Sequence, residues 1–405
     1  MTSPRPVLRE GDIRRYVDER CLPPGAGRVG AELEWFADTD LNHAEIAVTA
    51  GSELFPAGSL LSFEPGGQLE LSGPAGVGPA AACAALETDA AELTRRLDRV
   101  GASLLGAGVH PDRPPRRVLH QPRYDAMATY WEACGELDRG AGLAMMCNTA
   151  AVQVSVDAAL SGAPSGTDPG DRDRRWRLAH ALSPVLAAAF ANSPMALGRI
   201  TGWRSSRLGI WEGLDRTRTA PALRTGQAAD DWAAYVLDAS VMLIRSGDVY
   251  QPLLHRFPFA RWLAEGHELG WPDEDDLAYH VSTLFPPVRA RGWLELRVID
   301  ALPDRWWPVA VAVTAALLDD PEAADRAARA TGRASWCWCE APRWALDYEP
   351  LAEAARTCFA LASAALPRLG APKALVAEVD AYRERFVERG RCPADDTLET
   401  IGATT

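Results

Sequence analysis

The sequence predicts an α+β fold, a sheet with helices packed against it, in a chain of 405 residues. Three observations carry this. Short alternating stretches of apolar and polar residues, the period of a half-buried strand, occur at 28–36, 60–72, 150–157 and 293–300. Alanine-rich segments with helical periodicity fill 80–100, 174–191, 230–245, 306–318 and 351–389. The strands are spread from residue 28 to residue 300 with neither a repeat nor a long linker, so one large domain over 1–405 is expected rather than a string of modules.

Taken in order, each strand sorts its residues onto two faces. In 28–36, Glu32 and Glu34 share one side, opposite Ala31, Leu33 and Trp35. In 60–72, Gln68 and Glu70 oppose Leu69 and Leu71. Just before them, Glu64, Pro65, Gly66 and Gly67 form a turn open enough for a ligand to approach the backbone. Breakers at 109–117 and 161–171 separate the next elements, and the second of these reads as a mobile surface loop. In 150–157, Gln153, Ser155 and Asp157 oppose three valines. The helix at 174–191 ends near Asn192-Ser193-Pro194, and a loop bearing Arg204, Arg207, Trp211 and Arg216 follows. In 293–300, Glu295 and Arg297 oppose Leu294, Leu296 and Val298.

Composition removes several classes of function. There are 42 basic and 55 acidic side chains, a formal net charge of −13 without a basic block, which argues against nucleic acid as a partner. Lys373 is the one lysine, and it reads as exposed in the first turn of a helix. A P-loop, a protein kinase or a pyridoxal enzyme each needs a lysine in its site. The N-terminal residues lack a signal-peptide core and no apolar run reaches a membrane span, so a cytoplasmic protein without membrane contact is expected. The eight cysteines, without C-x-x-C pairs, are expected to be free thiols. The seven histidines show no metal-ligand spacing, and the G-x-G-x-x-G at 25–30 precedes a strand instead of following one, so zinc and dinucleotide sites are not expected.

Four strands with a carboxylate or amide face could simply have one side in water. However, gathered carboxylates repel one another and raise each other's pKa unless a cation sits among them. Oxygen-only donors point to Mg²⁺ or Mn²⁺, and Mg²⁺ characteristically shares itself with substrate phosphates. Arg204, Arg207 and Arg216 supply guanidinium forks suited to phosphate and carboxylate. A glycosidase would also use paired carboxylates, and a non-catalytic cation-binding protein remains an alternative.

Together the segments resemble the glutamate-cysteine ligase family of the plant and actinobacterial type. The matching pieces are G-A-E-L-E-W-F at 30–36, F-E-P-G-G-Q-L-E-L-S-G-P at 63–74, R-Y-D-A-M at 123–127, M-C-N-T-A-A-V-Q-V-S-V-D at 146–157, A-N-S-P at 191–194, the stretch 207–217 and W-L-E-L-R at 293–297. They run in order over about 28–310, and within the family the likeness is to members that supply γ-glutamylcysteine for ergothioneine synthesis. The resemblance implies a glutamine-synthetase-like fold, with a curved antiparallel sheet forming an open funnel and helices outside. It implies ATP as co-substrate with Mg²⁺ or Mn²⁺, L-glutamate and L-cysteine as substrates, and a monomer. Metal coordination would fall to Glu32, Glu34, Glu64, Glu70 and Glu295, and the catalytic contacts to phosphoryl and carboxylate groups to Arg207 and Arg297. Substrate and nucleotide contacts would come from Gln68, Arg123, Tyr124, Gln153, Ser155, Arg204, Trp211 and Arg216. The alternative within this chemistry is glutamate joined to a different amine. The stretch past Leu318 carries no motif.

Overall fold

The structure is a computed structural model, and it describes residues 8–39, 41–51, 54–133, 140–162, 168, 170–303 and 305–402. Cys134 and most of the 161–171 loop lie outside the described residues, so the mobility expected of that loop concerns residues beyond them.

Eight strands form the main sheet: β1 (Arg28–Asp38), β2 (Leu60–Phe63), β3 (Leu69–Ser72), β4 (Gly76–Val77), β5 (Ser103–Leu105), β6 (Ala151–Val156), β7 (Val288–Ala290) and β8 (Leu294–Asp300). Their order is β7-β8-β6-β1-β3-β2, with β4 and β5 also paired to β1, and every pairing is antiparallel. The sheet does not close into a barrel. The long strand β1 is its spine because its apolar rail, Ala31, Leu33 and Trp35, is buried throughout, and the matching rails Leu69 and Leu71, Val152, Val154 and Val156, and Leu294 and Leu296 are buried with it.

The helices that matter below are α1 (Gly78–Asp98), α2 (Pro122–Ala133), α3 (Ala141–Cys147), α4 (Arg172–Ala189), α5 (Ser206–Glu212), α6 (Ala228–Asp238), α7 (Trp307–Asp319), α8 (Glu349–Ala365) and α9 (Lys373–Arg385), of which α1, α4 and α7 cover that apolar face. Helix α7 is apolar all round and buried from Trp307 to Leu318, the signature of a helix enclosed in a core. It packs against β6, α1 and α8. Helix α4 packs on β8 and α8. One contiguous cluster of buried apolar residues runs from Leu8 to Ala394. A second, smaller cluster joins α2 and α3 through Met127, Trp131, Met145 and Met146.

Two expected helices are shorter than their periodicity suggested. The 230–245 helix stops at Asp238, and the run that follows forms a hairpin, Leu243–Ser246 with Val249–Pro252, around Gly247 at φ 59°. The 351–389 segment is divided where Gly370 adopts a left-handed conformation and Pro372 cannot donate to a helical ladder.

Candidate active site

The strand register decides which side chains meet. Glu34 lies directly across from Glu70, and Glu32 lies between Gln153 on one neighbour and Ser72 on the other. On β8, Glu295 pairs with Ser155. Between Leu296 and Ile299 the register shifts by one residue, a β-bulge. Its effect is local and large. Ile299 takes the core-facing place opposite Val152, and Asp300 moves to the face that carries Glu295 and Arg297.

That face lines a cavity of about 530 Å³. Glu32, Glu34, Glu64, Gln68, Glu70, Gln153 and Arg297 enter it from the strands and the turn before β3. Arg123, Tyr124 and Met127 come from α2, Met145 and Met146 from α3, and Arg207 and Trp211 from α5. The turn is closed by Gly67 N donating to Glu64 O at 2.7 Å and Glu64 N donating to Gln68 O at 2.9 Å. Gly67 has φ 86°, a conformation that disfavours side chains.

Each carboxylate has a different environment. Glu34 accepts from Gln153 Nε2 at 2.8 Å and from the Ala151 amide at 2.9 Å. Even so, burial, then the charges of Glu64 and Glu70, drive its pKa well above the ordinary value. Burial, then Glu295 and Glu70, push Glu32 up to about 7. Burial and Glu70 do the same to Glu64, also to about 7. Glu70 accepts from Ser62 Oγ at 2.8 Å. Glu295 goes the other way. Burial alone would raise it, but Arg289 and Arg297 outweigh that and bring it down to about 2. Its Oε2 accepts from Arg289 Nε at 2.7 Å and Arg297 Nη1 at 2.9 Å, while Oε1 is buried with no hydrogen-bond partner among the described residues.

The arginines are held as firmly. Arg297 also donates to Gln153 Oε1 and lies over the Phe285 ring. Arg207 donates from Nη2 to the Arg297 carbonyl at 2.7 Å, leaves Nη1 without a hydrogen-bond partner, and faces Asp300 at 3.8 Å. Asp300 is a buried hub, accepting from Asn192 N at 2.8 Å, Ser193 Oγ at 2.7 Å and Ser205 Oγ at 2.8 Å. Ser205 is also the N-cap of α5, so the hub sets the start of the helix that carries Arg207 and Trp211. The Asn192-Ser193-Pro194 motif thus acts by anchoring this corner. Arg123 donates to Ser282 Oγ at 3.1 Å and Ser282 O at 3.2 Å, beneath the Tyr279 ring.

Most residues singled out from sequence converge here, but four do not line the cavity; one of them, Glu295, is fully buried and paired with Arg289 and Arg297, which do line it. Arg204 is paired with Asp395 at 2.7 Å and Asp347 at 2.8 Å, on the side facing the C-terminal helices. Arg216 lines a separate cavity with Glu212 and His255. Ser155 sits beside Glu295 in the sheet without lining the cavity. Sequence reasoning missed Arg289 and Arg291. Arg289 lies on β7, a three-residue edge strand too short to show alternation, although its place six residues before Glu295 puts the two opposite each other in a hairpin. Arg123, Arg207, Arg289, Arg291 and Arg297 now face Glu32, Glu34, Glu64 and Glu70 across the cavity, so the carboxylates are less isolated than the strand patterns alone implied.

Among the described residues no group of three or more His, Cys, Asp or Glu side chains is preassembled as a metal cage. The donor chemistry nevertheless fits a hard divalent cation. Every donor is an oxygen, three of the carboxylates are forced toward their neutral forms by burial and repulsion, and Glu295 Oε1 is orphaned.

The chain and its fold are similar to known proteins. Residues 28–404 match glutamate-cysteine ligase family 2 (GCS2), and the chain belongs to that family. It is 42% identical to "Glutamate--cysteine ligase EgtA" of Mycolicibacterium smegmatis, over 93% of this chain and 88% of that protein, and 40% identical to the protein of the same name in Mycobacterium tuberculosis, over 95% and 89%. The chloroplastic glutamate-cysteine ligase of Arabidopsis thaliana is 28% identical over 75% of this chain and 62% of that protein. Among solved structures, the glutamate-cysteine ligase of Francisella tularensis in complex with AMP aligns over 93% of this chain and 85% of that chain with a TM-score of 0.52 at 12% identity. A bifunctional glutathione synthetase from Pasteurella multocida aligns over 93% and 50%, also with a TM-score of 0.52, at 14% identity. At such identities the likeness is one of fold.

Proposed function

We propose that this chain joins the γ-carboxylate of L-glutamate to the amine of L-cysteine with ATP, giving γ-glutamylcysteine, ADP and phosphate. The observation that carries this reading is the meeting of Glu32, Glu34, Glu64 and Glu70 with Arg207 and Arg297 in one cavity of a family-2 ligase fold. A γ-carboxylate oxygen attacks the terminal phosphorus of ATP and ADP leaves, forming γ-glutamyl phosphate. The cysteine nitrogen then attacks the acyl carbon, phosphate departs and a proton is released. Neither step needs a protein nucleophile, consistent with a cavity lined by carboxylates and guanidiniums.

The chain's part is placement and charge. Arg297, already oriented by Glu295 and Gln153, and Arg207, held by the Arg297 carbonyl and facing Asp300, would grip the phosphoryl group and the glutamate carboxylates. Gln68, Arg123 and Tyr124 would complete the substrate contacts. The Met127, Met145, Met146, Trp211 and Phe285 wall offers polarizable contacts suited to a thiol side chain. Arg204 and Arg216, turned elsewhere, would act on substrates only if their loops moved, and Ser155 only through Glu295. Glu32, Glu34, Glu64 and Glu70, with Glu295 through Oε1, would hold Mg²⁺ or Mn²⁺, which when bound neutralises the phosphates of ATP.

The identity to the two mycobacterial EgtA proteins supports a product destined for ergothioneine synthesis. The protein would work as a monomeric single catalytic domain in the cytoplasm on small molecules. Among the described residues no helix is long and apolar enough to cross a membrane, and the seven described cysteines are free thiols, six of them buried. ADP release with glutamate and a panel of amines, with and without Mg²⁺, tests the reading. Turnover that requires glutamate, cysteine and metal together supports it. Equal turnover with unrelated amines favours the alternative acceptor, and turnover surviving EDTA removes the metal.

A further inference from the structure

A second cavity, of about 690 Å³, lies behind the Glu64–Gln68 turn. That turn and the segment 146–149 form a partition between the two chambers. Pro65 and Thr149 face the first chamber, Gly66, Cys147 and Asn148 face the second, and Gln68 borders both. A Cβ on Gly66 would stand 2.1 Å from the Cys147 carbonyl oxygen, so the two layers touch backbone to backbone.

The second chamber differs from the first in charge. In a chain of net charge −13, its lining among the described residues includes three arginines and three histidines but no Asp or Glu, although Arg113 pairs with Asp38 nearby at 3.5 Å. Arg113 is committed to the carbonyls of Ala37 and Thr39 at 2.7 and 3.1 Å, and Arg117 to Asp125 at 2.9 Å. Arg116 is exposed and has no ion pair or hydrogen bond among the described residues.

Three of the residues that line it carry buried polar atoms without a hydrogen-bond partner among the described residues. His110 is 5% exposed, and its Nδ1 accepts from the amides of Asp112 at 3.2 Å and Arg113 at 3.0 Å. Burial lowers the pKa of this histidine, so it is neutral, and the accepting Nδ1 leaves the proton on Nε2. That Nε2–H is a buried donor with no acceptor among the described residues. Gln68, 2% exposed, donates Nε2 to Thr149 O at 2.9 Å and leaves Oε1 unsatisfied, and His43 Nδ1 is likewise buried and unpaired. Unsatisfied buried groups of this kind are costly and call for a partner. Phe36, Leu41, Ile46 and Val118 supply apolar wall for the body of a ligand.

We propose that this chamber binds a small organic oxyanion, a phosphate or polycarboxylate of at least two negative charges, apart from the reactants' cavity. Arg116 supplies the free guanidinium, His110 Nε2–H donates to an oxygen of the ligand, and Gln68 Oε1 accepts an O–H or N–H from it.

Isothermal titration of the full chain with inorganic pyrophosphate, and separately with citrate, tests this without substrates or metal. Saturable binding of either probe is expected, the arm that binds distinguishing phosphate from carboxylate. Arg116→Gln and His110→Phe should each weaken it about fivefold or more, roughly one lost charge-assisted hydrogen bond. Arg116→Gln should leave turnover unchanged, and Arg207→Lys should leave probe binding unchanged. Absence of binding to wild type, wild-type affinity in both chamber variants, or loss of binding in Arg207→Lys alone overturns the proposal, the last placing the probe in the substrate cavity. Failure of the ligase reading leaves this test untouched, because no turnover is measured in the binding arms.

Discussion

At the scale of single residues, the cavity sets opposite charges against each other without balancing them evenly. Arg207 shows the consequence: its Nη2 is fixed on the Arg297 carbonyl and its Nη1 faces Asp300 at 3.8 Å, a planar two-sided hold an ammonium cannot reproduce. Arg207→Lys is expected to lower kcat/KM for ADP release by about 10²-fold or more while the circular dichroism spectrum stays that of the parent. The acidic residues dictate a pH response. Glu32 and Glu64 rise from 4.5 to about 7 on folding, so between those values the folded chain retains protons that the unfolded chain has released, and stability falls as pH rises through that window. Glu295, lowered to about 2, contributes stability that is present above 4.5 and lost as pH falls toward 2. Thermal melts of the metal-free chain should therefore show Tm dropping from pH 5 to pH 8, and Glu32→Gln should flatten that drop. A rising Tm over the same interval would remove these carboxylates from the strained set. The identity of the acidic rail was legible in sequence because alternation with period two assigns a face directly. The arginines opposite it were not, because Arg289 and Arg291 lie on and just beyond a three-residue strand where no period can be counted.

At the scale of elements, the bulge in β8 and the turn before β3 do the positioning. Without the bulge, alternation would send Asp300 into the apolar layer. With it, the carboxylate caps a corner made of the 192–194 segment and the start of α5. Asp300→Ala removes three acceptor contacts and leaves Arg207 buried without its counter-charge, a loss of about 3–5 kcal/mol in unfolding free energy measured by urea titration. An unchanged midpoint would show that the corner holds itself. Gly67→Ala should cost about 1–2 kcal/mol from its left-handed backbone, and the added methyl meets Val118 and His43 at 3.1 and 3.2 Å. Because the turn carries Glu64, the same variant should raise KM for glutamate more than it lowers kcat. Sequence periodicity identified β1, β3, β6 and β8 and the cores of α1, α4 and α7. It overran α6 and fused α8 with α9, because glycine and proline punctuation outweighs a continuing apolar rhythm.

At the scale of the whole molecule, the apolar side of the sheet is sealed by α1, α4 and α7, which leaves the charged side to face ligands. The fold class could be read because the alternating strands are long where they matter. The many short helices and two-residue strands could not, since they are specified by tertiary contacts and not by local period. A hard cation at the acidic rail should stabilise the whole chain by binding only the folded form. Mg²⁺ at millimolar concentration is expected to raise Tm at pH 8, where the carboxylates are ionised, and much less at pH 5. An equal rise at both values would place the ion elsewhere.

The partition built from the Glu64–Gln68 turn and the segment behind it is two layers of backbone thick, with Gly66 pressed against a carbonyl and Gln68 bordering both chambers. A septum so thin cannot insulate its two sides. If a guest behind it tightens the hold on glutamate by some factor, glutamate must tighten the hold on that guest by the same factor, so an inhibitor designed for either room will feel the tenancy of the other.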